Sequence, residues 1–103
     1  MSTLQEAVDA VKHTLFSMPP GCECRHLVGS MLGLLRRAEH CADRRSALPI
    51  AKGIDACEAL LASGQFHPGA AMPLSEALTA SVRACPGLPP EPLLDALWPG
   101  GAA

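Results

Sequence analysis

The chain has 103 residues, a size that holds one domain with one modest core. Hydrophobic residues make up 49%, which excludes a disordered segment. Only 3% are aromatic, so the core must come from Leu, Val, Ile, Met, Ala and Cys, a set better suited to close-packed helices than to a β-sandwich. A net charge of −2 exerts no global pull towards nucleic acid or an anionic membrane.

The first predicted helix covers residues 3–17. Ser2 or Thr3 can cap it, with Gln5 or Glu6 three residues on to complete a capping box. Leu4, Val8, Val11 and Leu15 form its apolar stripe, widened by Ala7 and Phe16, and the "MPPG" of residues 18–21 ends it. A second helix is expected from residue 22 or 23 to 42. Cys24, Leu27, Val28, Met31, Leu34, Leu35, Ala38 and Cys41 recur on it at helical spacing, and Leu32 lies off that face. A helix apolar around most of its girth is either central to a bundle or in contact with another chain.

"ADRRSALP" makes the next turn. Ser46 is the expected cap of the third helix and Pro49 fits its first turn. Ile50, Ile54, Cys57 and Leu61 form the stripe, with Ala47, Ala51 and Leu60 beside it, and Gly64 stands where a left-handed cap would close the helix. Residues 65–73 read as a loop. A fourth helix over residues 74–85 carries Leu74, Leu78, Val82 and Cys85, and "PGLPPEP" separates it from a short last helix over residues 91–98. No segment alternates as a strand does. The expectation is an all-α fold, a small antiparallel bundle of four helices plus a short C-terminal fifth. It forms a single domain over residues 1–103, with the bundle in 1–85 and a Pro/Gly-rich segment in 86–103.

The longest strongly apolar run, residues 27–35, is closed by Arg36 and Arg37 and is too short to span a membrane, which takes about 20 residues. Glu6 and Asp9 stand where a secretory signal would be basic and then apolar, so a cytoplasmic protein with no membrane partner is expected. The five cysteines are an odd number in such a chain and do not suggest a disulfide framework. Cys41, Cys57 and Cys85 fall at helix-periodic positions and read as small core residues, leaving Cys22 the most reactive thiol.

Three candidate sites follow. Cys22, Cys24 and His26 could hold a metal or a reactive thiol at the start of the second helix, where the helix end and Arg25 favour a thiolate. A second ligand pair is missing, so no metal and no cofactor is assigned. Arg36, Arg37, Arg44 and Arg45 cluster near the end of the second helix. They could meet nucleic acid, although Glu39 and Asp43 dilute the patch and no stacking aromatics accompany them. The third candidate is the second helix itself. Gly29 and Gly33 each cost roughly 1 kcal/mol against alanine inside a helix, which suggests that another helix approaches closely there.

No phosphate loop, nucleophile elbow or zinc-protease motif is present, and no carboxylate pair recurs on one face. The sequence therefore reads as non-enzymatic, without a small-molecule substrate. It is read as an adaptor, chaperone or anti-activator type of small helical protein, and its Ala, Gly, Pro and Arg content suits a GC-rich bacterial genome. It would bind another protein, or itself as a homodimer, through Leu27, Val28, Gly29, Met31, Leu32, Gly33 and Leu35, with Trp98 as a further anchor. The alternatives are a thiol- or metal-responsive regulator built on Cys22, Cys24 and His26, and a nucleic-acid binder built on the arginines.

Overall fold

The first helix, α1 (Leu4–Ser17), starts where its cap dictates. The Thr3 N–H donates to Glu6 Oε1 at 3.1 Å and the Glu6 N–H donates to Thr3 Oγ1 at 3.1 Å, which satisfies two of the free donors of the first turn. Leu4, Ala7, Val8, Val11 and Leu15 turn inwards, while Phe16 stays exposed because it lies past the edge of that stripe. The computed structural model describes residues 3–97. Among them the order is α1, α2 (Arg25–Glu39), α3 (Arg44–Ser63), a 3₁₀ turn (Pro68–Ala70), α4 (Ala71–Ala84) and α5 (Glu91–Leu97), with no strand. The fold is all-α with five helices, as expected, and Trp98 lies outside the described residues.

α2 is shorter than expected at both ends. Residues 22–24 stay outside the helix: an antiparallel bridge pairs Glu23 with Gln65, and beside it the Gly21 N–H donates to Phe66 O at 2.8 Å and the Phe66 N–H to Cys22 O at 2.8 Å. That contact anchors the link before α2 to the link after α3, and Phe66 enters the core. At its other end α2 stops at Glu39, so Cys41 falls in a turn and is exposed, not packed on the helix stripe.

α3 also begins earlier than expected. Asp43 caps it, accepting from the Ser46 N–H at 2.9 Å, and Ser46 itself becomes a buried residue of the first turn. Pro49 therefore sits in the second turn, where its missing N–H costs the exposed Arg45 carbonyl a helical partner. The stripe is rotated from the one expected: Ser46, Ile50, Gly53, Cys57 and Leu60 are buried, while Ile54 and Leu61 are only half-buried. Gly64 closes the helix at φ 76°, its N–H donating to Leu60 O at 2.8 Å.

The loop expected at residues 65–73 turns partly helical. The His67 Nδ1 accepts from the Gly69 N–H at 3.0 Å and caps the 3₁₀ turn, which runs into α4. Pro73 lies in the first turn of α4, where a missing N–H is harmless. Ala71, Leu74, Ala77, Leu78, Ala80 and Ser81 are buried on α4, and Val82 and Cys85 are only half-buried. Ser81 Oγ donates to Ala77 O at 2.8 Å, so its burial leaves no free hydroxyl.

The most extensive helix contact is that of α3 with α4, followed by α2 with α3. At its centre a Cβ on Gly53 would collide with the Ala77 Cβ and reach Leu35 Cδ1 at 3.1 Å. α5 folds back onto α1 and α2 and buries Leu93 completely. Gly53→Ala should therefore destabilise the protein by about 1–3 kcal/mol, against the usual gain from alanine in a helix. Urea unfolding measures it, and an unchanged or raised midpoint would show that α3 and α4 do not meet there.

Candidate functional site

The α2 surface is divided more sharply than its sequence suggests. Leu27 is 7% exposed, and Val28, Met31 and Leu35 are at 0%. These four belong to the protein's own core and not to an exposed binding face, because α3, α4 and α5 together cover more of α2 than one neighbouring helix could. Leu32 is half-buried against the same core.

Gly29 and Gly33 point the other way. Both are exposed, and a Cβ placed on either would meet no atom within 4 Å. Among the described residues no helix makes the close approach that two glycines one turn apart permit. The backbone of α2 instead forms the floor of a groove of about 210 Å³, lined by Gly29, Ser30, Gly33, Leu34, Arg37, Pro89 and Pro92. The wall opposite α2 is the proline segment that leads into α5. Arg37 is an exposed cation on that lining. The amphipathic turn with Leu93, Leu94 and Leu97 offered in the sequence the means by which this segment folds back over the bundle, as it does; Pro89 and Pro92 were legible only as helix breakers, not as a groove wall.

The cysteines before α2 do not form a centre. Residues 22–24 are non-helical, the one condition under which Cys22 and Cys24 could converge. Cys24 is nevertheless buried, and burial pushes its thiol up, with Cys22 and Glu23 adding to the rise and Arg25 opposing it. His26 is exposed beside a shallow cleft that Thr14, Met18, Glu23, Cys24, Leu27, Ala96 and Leu97 also line. Among the described residues no three His, Cys, Asp or Glu side chains are placed to hold a metal ion. The alternative of a thiolate activated by the helix end and Arg25 is not favoured at Cys24, where desolvation outweighs the nearby arginine.

The arginines divide between two helices. Arg36 is engaged by Glu58 of α3 at 3.2 Å, an exposed ion pair of the kind that contributes about 0–1 kcal/mol. Arg44 and Arg45 belong to the first turn of α3, not to the end of α2, so they stand at the helix end where the dipole opposes positive charge. Asp43 offsets this, its carboxyl held below the usual range first by the hydrogen bond from the Ser46 backbone.

The remaining thiols differ from one another. Cys57 is buried, and burial pushes its thiol up to about 12. Cys85 caps α4 and donates to Cys41 Sγ, with the sulfurs 2.6 Å apart; that hydrogen bond is the leading cause of the upward shift of its thiol. Cys41 and Cys85, expected in the core, are exposed and half-buried respectively. Comparison with protein-family models, with curated proteins and with solved structures returned no match.

Two outcomes follow. Under native conditions a thiol reagent should label Cys41 first and Cys57 last; equal rates at all five cysteines would contradict the burial pattern. Cys57 also imposes a pH dependence. Below pH 9, the ordinary value of its thiol, it is neutral whether the chain is folded or not; above it the unfolded chain ionises while the folded one keeps its proton until about pH 12. Stability should fall through that window by up to about 1.4 kcal/mol per pH unit. Cys57→Ala, although less stable, should flatten the slope, and an unchanged slope would assign it to other groups.

Proposed function

We propose that this protein is a non-enzymatic interaction module, a small cytoplasmic adaptor or chaperone-like protein, that binds a helix of another protein in the groove beside Gly29 and Gly33. The observation that carries this reading is the exposure of both glycines inside a regular helix. Each costs about 0.8–1.0 kcal/mol relative to alanine, and no contact among the described residues offsets that cost. A bare backbone stripe lets a second helix approach closely, and the two prolines give it a rigid apolar flank.

Charge favours a different protein over a second copy of this one. α2 has no acidic residue in its first turn and carries Arg36 and Arg37 in its last, with Arg25 and His26 at its start. Arg37 is the one charged residue on the groove lining, so a second copy of this face brings it no counter-charge, whereas a partner helix with small residues and a carboxylate would pair with it. A homodimer is the competing outcome.

Gly33→Ala should leave the fold intact and raise its stability by about 0.5–1 kcal/mol, since no neighbour is displaced. Gly33→Leu should remain folded and monomeric but weaken partner binding by roughly tenfold or more, because a bulky side chain separates the helices. Partners retained by wild type are titrated against Gly33→Leu and Arg37→Glu, and sedimentation gives the oligomeric state. Equal affinity for all three proteins would place binding elsewhere. A wild-type dimer that Gly33→Leu dissociates would assign the groove to self-association.

A further inference from the structure

Cys41 and Cys85 come from elements 44 residues apart, the turn after α2 and the cap of α4, and yet their sulfurs are in direct contact at 2.6 Å. Neither is held loosely. The Cys41 N–H donates to Ala38 O at 3.0 Å, the Cys85 N–H to Ser81 O at 2.9 Å, and Cys85 O accepts from Leu88 at 3.2 Å. The other three cysteines differ in setting: Cys24 and Cys57 are buried, and Cys22 packs against the core.

We propose that Cys41 and Cys85 form a peroxide-responsive dithiol that closes into a disulfide between the α2–α3 turn and the end of α4. Cys41 is the exposed partner and so meets the oxidant first. Its thiolate attacks one oxygen of hydrogen peroxide; an S–O bond forms, the O–O bond breaks and hydroxide leaves, so that sulfur is oxidised to a sulfenic acid as peroxide is reduced. The Cys85 thiolate then attacks the Cys41 sulfur, an S–S bond forms, and the S–O bond breaks with release of hydroxide. With the two thiol protons included, two thiols and one peroxide yield one disulfide and two waters. The adjacent sulfur makes the second step faster than further oxidation of Cys41. Closure joins the end of α4, from which the proline segment departs, to the turn that follows α2, and it removes chain entropy from the unfolded state. This inference does not depend on what binds the groove.

The test is titration of the reduced full-length protein with hydrogen peroxide, followed by intact mass and non-reducing peptide mapping. Wild type should become lighter by two hydrogen atoms, with the peptides of Cys41 and Cys85 linked to each other, and its Tm should rise by about 10 °C or more and fall back on reduction. Cys85→Ser should fold as wild type does when reduced, gain no Tm on oxidation, and carry a sulfenic acid on Cys41 that dimedone captures. Cys41→Ser should form no such link. Linkage through Cys22, or wild-type Cys41 passing to sulfinic acid with Cys85 left free, would overturn the proposal. So would a linked product with an unchanged Tm, since it would show that the bond constrains nothing.

Discussion

The contact of Gly53 with Ala77 brings α3 closer to α4 than larger side chains at those positions would allow, and the Leu35 methyl group of α2 closes over the same point. Three helices therefore meet where one of them has no side chain. The rest of the interior is scaled to that distance. α4 buries Ala71, Ala77, Ala80 and Ser81 alongside its two leucines, α3 buries Ser46 and Cys57, and Phe66 is the one buried aromatic among the described residues. Small side chains give up apolar area per residue but let helix backbones come near enough for dense packing. This is how a chain with 3% aromatic residues closes a core at all.

Much of this was legible in the sequence, and what was not has physical reasons. The Thr3–Glu6 box and the Leu4, Val8, Val11, Leu15 stripe define α1 because cap and period agree. α3 and α4 were assigned with their buried stripes rotated, since a hydropathy pattern cannot register a buried glycine, a buried alanine or a serine that satisfies its own hydroxyl. Gly53 is informative only because it lies within the Ile50–Cys57 stripe, which marks a close contact and not a break. Cys41 left the core because α2 ends at Glu39, a boundary that periodicity alone overruns. Its approach to Cys85 depends on how two helix ends are brought together, which local spacing does not encode.

The candidate groove was half visible. Gly29 and Gly33 stand out in sequence, but whether they face a neighbour or open space depends on which side of α2 the leucines claim. Leu27, Val28, Met31, Leu34 and Leu35 claim one side completely, so α2 works as a core helix and as a surface helix at once. The same feature explains why the face richest in apolar residues is not the one left accessible. Hydrophobic residues occupy the inner side, and the outer side is marked by what it lacks.

The position of α5 bears on how the fold is completed during synthesis. Leu93, wholly buried against α1 and α2, belongs to the last helix of the described chain. Chains emerge from the ribosome amino end first, at about 5–20 residues per second. The 13 residues from the end of α4 to the end of α5 take about 0.7–2.6 s at that rate, far longer than a helix needs to form, so the first four helices can form before the segment that covers part of their apolar surface has been made. In that interval α2 presents to the cell both its glycine face and the apolar strip reserved for Leu93. The nascent protein is stickier than the finished one, and the final turn of helix ends that state.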